Sequence, residues 1–128
     1  MKLRSPLGRV LGLGAAGHGV QDWWRQRVTS VALLPLGVWL LIALCSLRSF
    51  DHASVTAWIA SGWTPVLLAL FLVVAAQHSQ LGLRVIIEDY VHHTGLRTAT
   101  VLLVNFAHVL LAAAGLYAVL KLAVGTPP

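Results

Sequence analysis

Residues 64–90 read TPVLLALFLVVAAQHSQLGLRVIIEDY. The stretch opens as unbroken apolar sequence, admits Gln77, His78, Ser79 and Gln80 in succession, and closes on Glu88, Asp89 and Tyr90. An α-helix rises ~1.5 Å per residue, so roughly 20 apolar residues cross a hydrocarbon core of about 30 Å. Thr64–Ile87 is long enough, and Val28–Leu47 and Ala99–Leu122 are two more runs of that kind. The fold expected is all-α: an integral membrane protein with three transmembrane helices in a bundle. The spans, about 28–47, 64–87 and 99–122, make one membrane domain over 28–122. Residues 1–27 precede it as a cytoplasmic arm and interfacial segment, and 123–128 form a tail. Composition agrees, with 58% hydrophobic and 10% charged residues and a mean hydropathy of +0.81. A water-soluble domain of 128 residues cannot bury that much apolar surface, because small domains keep a large surface fraction.

The formal charge is +5, a balance that in other chains suits nucleic acid. Here the placement points to membrane topology instead. Lys2, Arg4, Arg9, Arg25 and Arg27 all precede the first span, so the positive-inside rule puts the N-terminus in the cytoplasm. Arg84, Glu88, Asp89 and Arg97 then fall on the same side. Arg48, Asp51 and Lys121 fall on the other. Cys45 is the one cysteine, so no internal disulfide forms, and it reads as a small apolar residue within the first span.

Residues 1–17, rich in Gly and Arg, read as an extended arm. Trp23 and Trp24 suit the headgroup level, with Arg25 and Arg27 snorkelling beside them. Pro35 falls inside the first span, a place where membrane helices tolerate a kink. In the loop of residues 48–63, VTAWIASGW (residues 55–63) reads as a short helix on the membrane surface, with Trp58 and Trp63 in the aromatic belt. Pro65 takes the favoured first-turn position of the second span. The short polar loop from about Glu88 to Thr98 makes the second and third spans antiparallel neighbours.

At 100° per residue, Gln77–Gln80 fan out over most of the helix circumference. Unpaired polar groups in hydrocarbon are costly, so lipid is not the neighbour on every side. Two partner helices cover about half of that circumference by this geometry. The remainder calls for another subunit, a cofactor or water. On the face of His78 stand Gly82, Val85 and Asp89, with Gly82 letting something bulky approach the backbone. A flat macrocycle ligated by His78 fits this face, imidazole being a common axial ligand of haem iron. The plainer reading is a histidine that hydrogen-bonds a neighbouring helix. Asn105, His108, Ala112 and Gly115 share a face of the third span that reads first as a packing surface. A variant has His78 and His108 approaching to ligate one haem within the chain. His92 and His93 read as a solvated pair in the loop.

HSQLGLRVIIEDYV (residues 78–91) resembles the hydrophobic membrane anchor subunit of succinate dehydrogenase, respiratory complex II. The shared pattern is a histidine in the second helix, a glycine four residues on, and Asp-Tyr at the cytoplasmic end. QDWWRQRVTSVALLPL (residues 21–36) is similar to the segment leading into that family's first helix, and the likeness covers most of the chain. The resemblance implies a second hydrophobic anchor (a cytochrome b), an iron–sulfur subunit and a flavoprotein carrying FAD as partners. It implies haem b between the anchors, with one axial histidine from each, and ubiquinone bound where the anchors meet the iron–sulfur subunit. Succinate would be oxidised at the flavin, with its electrons passed along iron–sulfur clusters to ubiquinone. His78 then matches the haem iron ligand, with Gly82 beside the cofactor. Tyr90 matches the tyrosine that donates to a quinone carbonyl, Asp89 its acidic neighbour, and Arg27 an arginine near the haem propionates and the quinone pocket. A phenol at the membrane edge can donate as charge builds on a quinone oxygen, and Arg27 is a permanent cation for anionic propionates. The location implied is the bacterial inner membrane, multi-pass. The basic, acid-poor start also mimics a mitochondrial presequence, which makes the mitochondrial inner membrane the alternative. Gln21 stands where some relatives have histidine, and the resemblance supplies no role for His108. Other readings are an anchor of a related fumarate reductase, whose members can lack haem, and a small structural or proton-pathway membrane subunit. The chain alone would not be catalytic in any of these.

Overall fold

The structure, a computed structural model, describes residues 16–125. Of the extended arm expected over residues 1–17, residues 1–15 lie outside the described residues, as do the last three of the tail, while residues 16 and 17 are already helical. Four helices and no strand occur among the described residues: α1 (Ala16–Cys45), α2 (His52–Ile59), α3 (Thr64–Tyr90) and α4 (Thr94–Val124). Three of them, α1, α3 and α4, are long and apolar enough to cross a membrane. They carry the three apolar runs, so the all-α transmembrane bundle stands.

Local chemistry sets the helix ends. Helix α1 starts at Ala16, so the segment expected only to lead into the first span is helical and continuous with it. It also runs on through Pro35, whose ring removes one backbone donor in mid-helix. Asp51 caps α2 by accepting from the Ser54 N–H at 2.8 Å. Hydrogen bonds from the Ser49 hydroxyl, then from Ser54, hold the Asp51 carboxyl at about 2, below its ordinary 3.8. Gly62 takes a left-handed φ of 51° in the turn into α3, a conformation that glycine adopts at no steric cost. Pro65 sits in the first turn of α3, where its missing donor is not needed. Residues 91–93 alone connect α3 to α4, and the His93 ring accepts from the Leu96 N–H at 3.3 Å to cap the new helix.

Helix α3 is the middle of the bundle. It packs against α1 on one side and α4 on the other, while the backbones of α1 and α4 do not approach each other. Both pairings are antiparallel, since contacts run from Asp22–Arg84 to Thr29–His78 and from Gln80–Asn105 to Leu72–Gly115. Helix α2 folds under the α3/α4 end, and its Trp58 stacks on Trp39 of α1 with ring centroids 6.4 Å apart. Trp58 thus braces α2 against α1.

The core is thin. Leu36, Ile87 and Val119 are the buried apolar residues among those described, and Thr29 is the buried polar one. Large apolar side chains such as Leu34, Leu41, Leu103, Phe106 and Leu110 face outward along α1 and α4. A protein in water arranges its side chains the other way, and apolar patches of this size mark lipid or partner surfaces.

Candidate functional site

Half a turn of α3 turns its polar residues toward two different helices. His78 faces α1. Its Nδ1 lies 3.0 Å from the Thr29 hydroxyl, and its Nε2 lies 3.4 Å from the Gln26 side-chain nitrogen. The Thr29 hydroxyl reaches back along its own helix to the carbonyls of Arg25 (2.9 Å) and Gln26 (3.1 Å). The other amide atom of Gln26, Oε1, is buried and has no hydrogen-bond partner. A buried acceptor left in that state costs about 1–3 kcal/mol, so the Gln26–His78 contact is an incomplete arrangement. Gly82, one turn on from His78, opens the space that the Gln26 amide enters: a Cβ built on Gly82 would meet Gln26 Nε2 at 3.7 Å.

Helix α4 takes the next two polar residues. Gln80 donates to Asn105 Oδ1 at 2.9 Å. His108 donates from Nδ1 to the Val104 carbonyl at 2.8 Å, which leaves Nε2 to accept from the Ser79 hydroxyl at 3.2 Å. His78 and His108 therefore have separate partners on opposite neighbours of α3, and the structure does not bring them together as a ligand pair. Asn105 and His108 form the packing face expected of them. Among the described residues, no three His, Cys, Asp or Glu side chains converge as a metal-binding group.

Two of the remaining predicted site residues lie at the end of the bundle where α3 runs into α4, while Arg27 stands on α1 nearer the level of His78. Tyr90, the last residue of α3, is 78% exposed, and Asp89 beside it is exposed as well. Neither contacts His78, whose ring lies three turns back along the helix. Arg27 is exposed and lies over the Trp23 ring, 5.5 Å from its centroid, at cation–π distance. Its guanidinium is not paired with Asp89. The ion pairing at this end involves other residues: Asp22 lies 3.4 Å from Arg84 and 3.9 Å from Arg25, and Arg84 also bonds Glu88 at 2.8 Å. The Asp22–Arg84 pair joins α1 to α3 across a cleft of about 250 Å³ that Gln26 and Leu81 also line. A wider groove of about 530 Å³ runs along the other flank of the α1–α3 seam, lined by Trp24, Arg25, Thr29, Gln77 and Gln80 among others.

The reading of the sequence missed Thr29, Gln26 and Asp22. Nothing in their local pattern singles them out, since their importance comes from what α3 places opposite them. The only available signal was the polar content of residues 21–30 in a helix bound for the membrane.

Three membrane-length helices, a thin core and a polar collar at mid-helix define an integral membrane helix bundle. The chain belongs to the succinate dehydrogenase/fumarate reductase transmembrane subunit family, whose profile it matches over residues 1–114. It is similar to the succinate dehydrogenase hydrophobic membrane anchor subunit of Rickettsia conorii, with 31% identity over 93 residues covering 72% of this chain and 74% of that one. The subunit of the same name from Paracoccus denitrificans is 28% identical over 125 residues, covering 98% and 96%. The Rickettsia bellii subunit is 27% identical over 119 residues, covering 91% and 93%. No solved structure matches the chain.

Proposed function

We propose that this chain is the membrane anchor of a succinate:ubiquinone oxidoreductase, that His78 is an axial ligand of haem b, and that Tyr90 and Asp89 help form the ubiquinone reduction site. The observation that carries the reading is the state of the His78 ring. It is held from one side by Thr29, and its other nitrogen is met only by a long contact with an amide whose oxygen is orphaned. A side chain in that state is better explained by a ligand than by helix packing, and Gly82 leaves room on the same face.

Haem b, when bound, supplies a one-electron carrier within the membrane. This chain contributes the His78 imidazole, while Arg27 supplies a cation at the membrane edge for propionates or the quinone pocket. His108 is engaged by Ser79 and Val104, so the second axial ligand would come from a partner anchor, the cytochrome b subunit. The Tyr90 phenol donates a hydrogen bond to a quinone oxygen, stabilising the charge that builds there on reduction. Asp89 lies beside it as an acceptor able to orient the phenol or pass on a proton. An iron–sulfur subunit covering this end would exclude water from both side chains, and a flavoprotein with FAD would feed it electrons from succinate. The positive-inside rule puts this end, and the N-terminus, on the cytoplasmic face of a bacterial inner membrane.

A structural role is favoured by one observation, and for α4 alone: the Ser79–His108 and Gln80–Asn105 bonds are complete without any ligand. The test is the reduced-minus-oxidised spectrum of the purified complex. A haem b signal is expected in the wild type and in the His108→Ala control, and it is expected to vanish in His78→Ala. An unchanged signal in His78→Ala refutes the ligand assignment.

A further inference from the structure

We infer that Thr29 is a positioning residue that fixes the His78 ring as the Nδ1–H tautomer, so that Nε2 presents its lone pair for axial ligation. The inference rests on the proposed haem reading and adds to it a residue on a different helix.

The argument is a proton count. The Thr29 hydroxyl has one proton, and two backbone carbonyls of its own helix stand 2.9 and 3.1 Å away to accept it. A threonine one turn below a carbonyl in a membrane helix commonly spends its proton in this way. What the hydroxyl then offers His78 is a lone pair, and the group that fits it at 3.0 Å is Nδ1–H. A neutral imidazole with its proton on Nδ1 has an acceptor at Nε2. The Gln26 amide nitrogen, a donor, lies on that side at 3.4 Å, so both contacts of the ring agree on one tautomer. Thr29 is also the buried polar side chain among the described residues, only 7% exposed, so water does not compete for its hydroxyl.

An acceptor on the non-ligating nitrogen does two things to a metal-bound histidine. It sets the ring orientation, and it raises the basicity of the ligating nitrogen. Thr29 therefore prepares His78 before the cofactor arrives and tunes it afterwards. The Gln26 amide blocks the lone pair meanwhile, and its weak contact and orphaned oxygen make it easy to displace.

The experiment uses the assembled complex with Thr29→Val, which keeps the shape and removes the hydroxyl, and Thr29→Ser, which keeps the hydroxyl and removes a methyl group. Thr29→Val is expected to weaken haem retention about 10–100-fold, the usual loss on removing such a partner. It is also expected to move the haem midpoint potential upward, because a less basic ligand favours the ferric state less. Thr29→Ser is expected to restore both. If Thr29→Val fails to assemble, Thr29→Ser and Thr29→Ala decide the matter, since they differ only in the hydroxyl. Wild-type retention and potential in Thr29→Val, or equal losses in Thr29→Val and Thr29→Ser, overturn the inference and leave His78 as the ligand. A haem signal that survives His78→Ala overturns the ligand reading itself, and this inference with it.

Discussion

Replacing Gly82 with alanine separates packing within the chain from packing against a ligand. The added Cβ would meet one atom, Gln26 Nε2, at 3.7 Å, which is ordinary van der Waals contact. No neighbour has to move, so the substitution carries no steric cost inside the chain. Glycine in a helix interior is less stable than alanine by roughly 0.5–1 kcal/mol, so α3 by itself is expected to gain about that much. The sign reverses where a macrocycle packs on the His78 face. An extra methyl group in a filled site costs typically about 1–3 kcal/mol, which is roughly a 5–150-fold loss of affinity. The assay is the haem-to-flavin ratio of the purified complex, followed through repeated detergent washing, alongside its thermal melting curve. Gly82→Ala is expected to assemble at wild-type levels, melt no lower once haem is removed from both proteins, and lose haem faster. Gly82→Leu is expected to exaggerate the loss. Wild-type haem retention in both variants would refute the idea that this face receives a cofactor, and failed assembly of Gly82→Ala would refute the steric argument.

Tyr90→Phe removes the phenol hydroxyl and is expected to slow quinone reduction while succinate oxidation with an artificial acceptor continues; equal loss of both activities would instead mean failed assembly. Breaking the Gln80–Asn105 bond with Asn105→Leu is expected to cost about 0.6 kcal/mol and at most about 1.7 in unfolding from detergent, because bonds between membrane helices are worth little more than that. Asp51 has a lowered carboxyl pKa, so its support of α2 is complete above 3.8 and is lost as pH falls through about 2. Amide exchange of residues 52–59 is thus expected to be insensitive to this group from pH 5 to 8, and to speed up across that range in Asp51→Ala. A double-mutant cycle on Asp22 and Arg84, both partly exposed, is expected to give a coupling of about 0.2–1 kcal/mol that shrinks with added salt.

The helices were legible because membrane length is a crude and strong constraint: any run of that size must cross or fold back. The antiparallel α3–α4 pair was legible from a loop too short for anything else, and the short helix before Trp63 was legible in kind but not in place, since it runs over His52–Ile59 rather than residues 55–63. The start of α1 was not. Gly19 and the charged residues Asp22, Arg25 and Arg27 read as interfacial, whereas they are helical and continuous with the span, with Arg84 of α3 meeting Asp22. The site was half legible. His78, Gly82 and Tyr90 lie on one helix, where fixed angular steps relate them. Thr29 and Gln26 lie on another, and only the pairing register sets them opposite His78. Arg27 shows the limit from the other direction, since sequence puts it beside the tryptophans ahead of the first span and cannot foresee that Trp23 holds its guanidinium.

The polar collar of α3 invites a further step. Counted around the helix, four consecutive polar residues demand more neighbours than one chain offers. Side-chain reach changes that count. His78 finds Thr29 on α1, while Ser79 and Gln80 find His108 and Asn105 on α4. Two groups still without a partner are Gln77, exposed in the groove beside Thr29, and the buried Oε1 atom of Gln26. Both lie on the α1 side. On the α3–α4 seam Gln80 Nε2 donates to Asn105 Oδ1, and the outward face of α4, with Leu103, Phe106 and Leu110, is apolar. The buried polar atom without a partner thus lies where α1 meets α3, on the same seam as His78. In hydrocarbon such groups are not left unpaired. A ligand or partner subunit that satisfies this atom therefore has to address the α1–α3 seam.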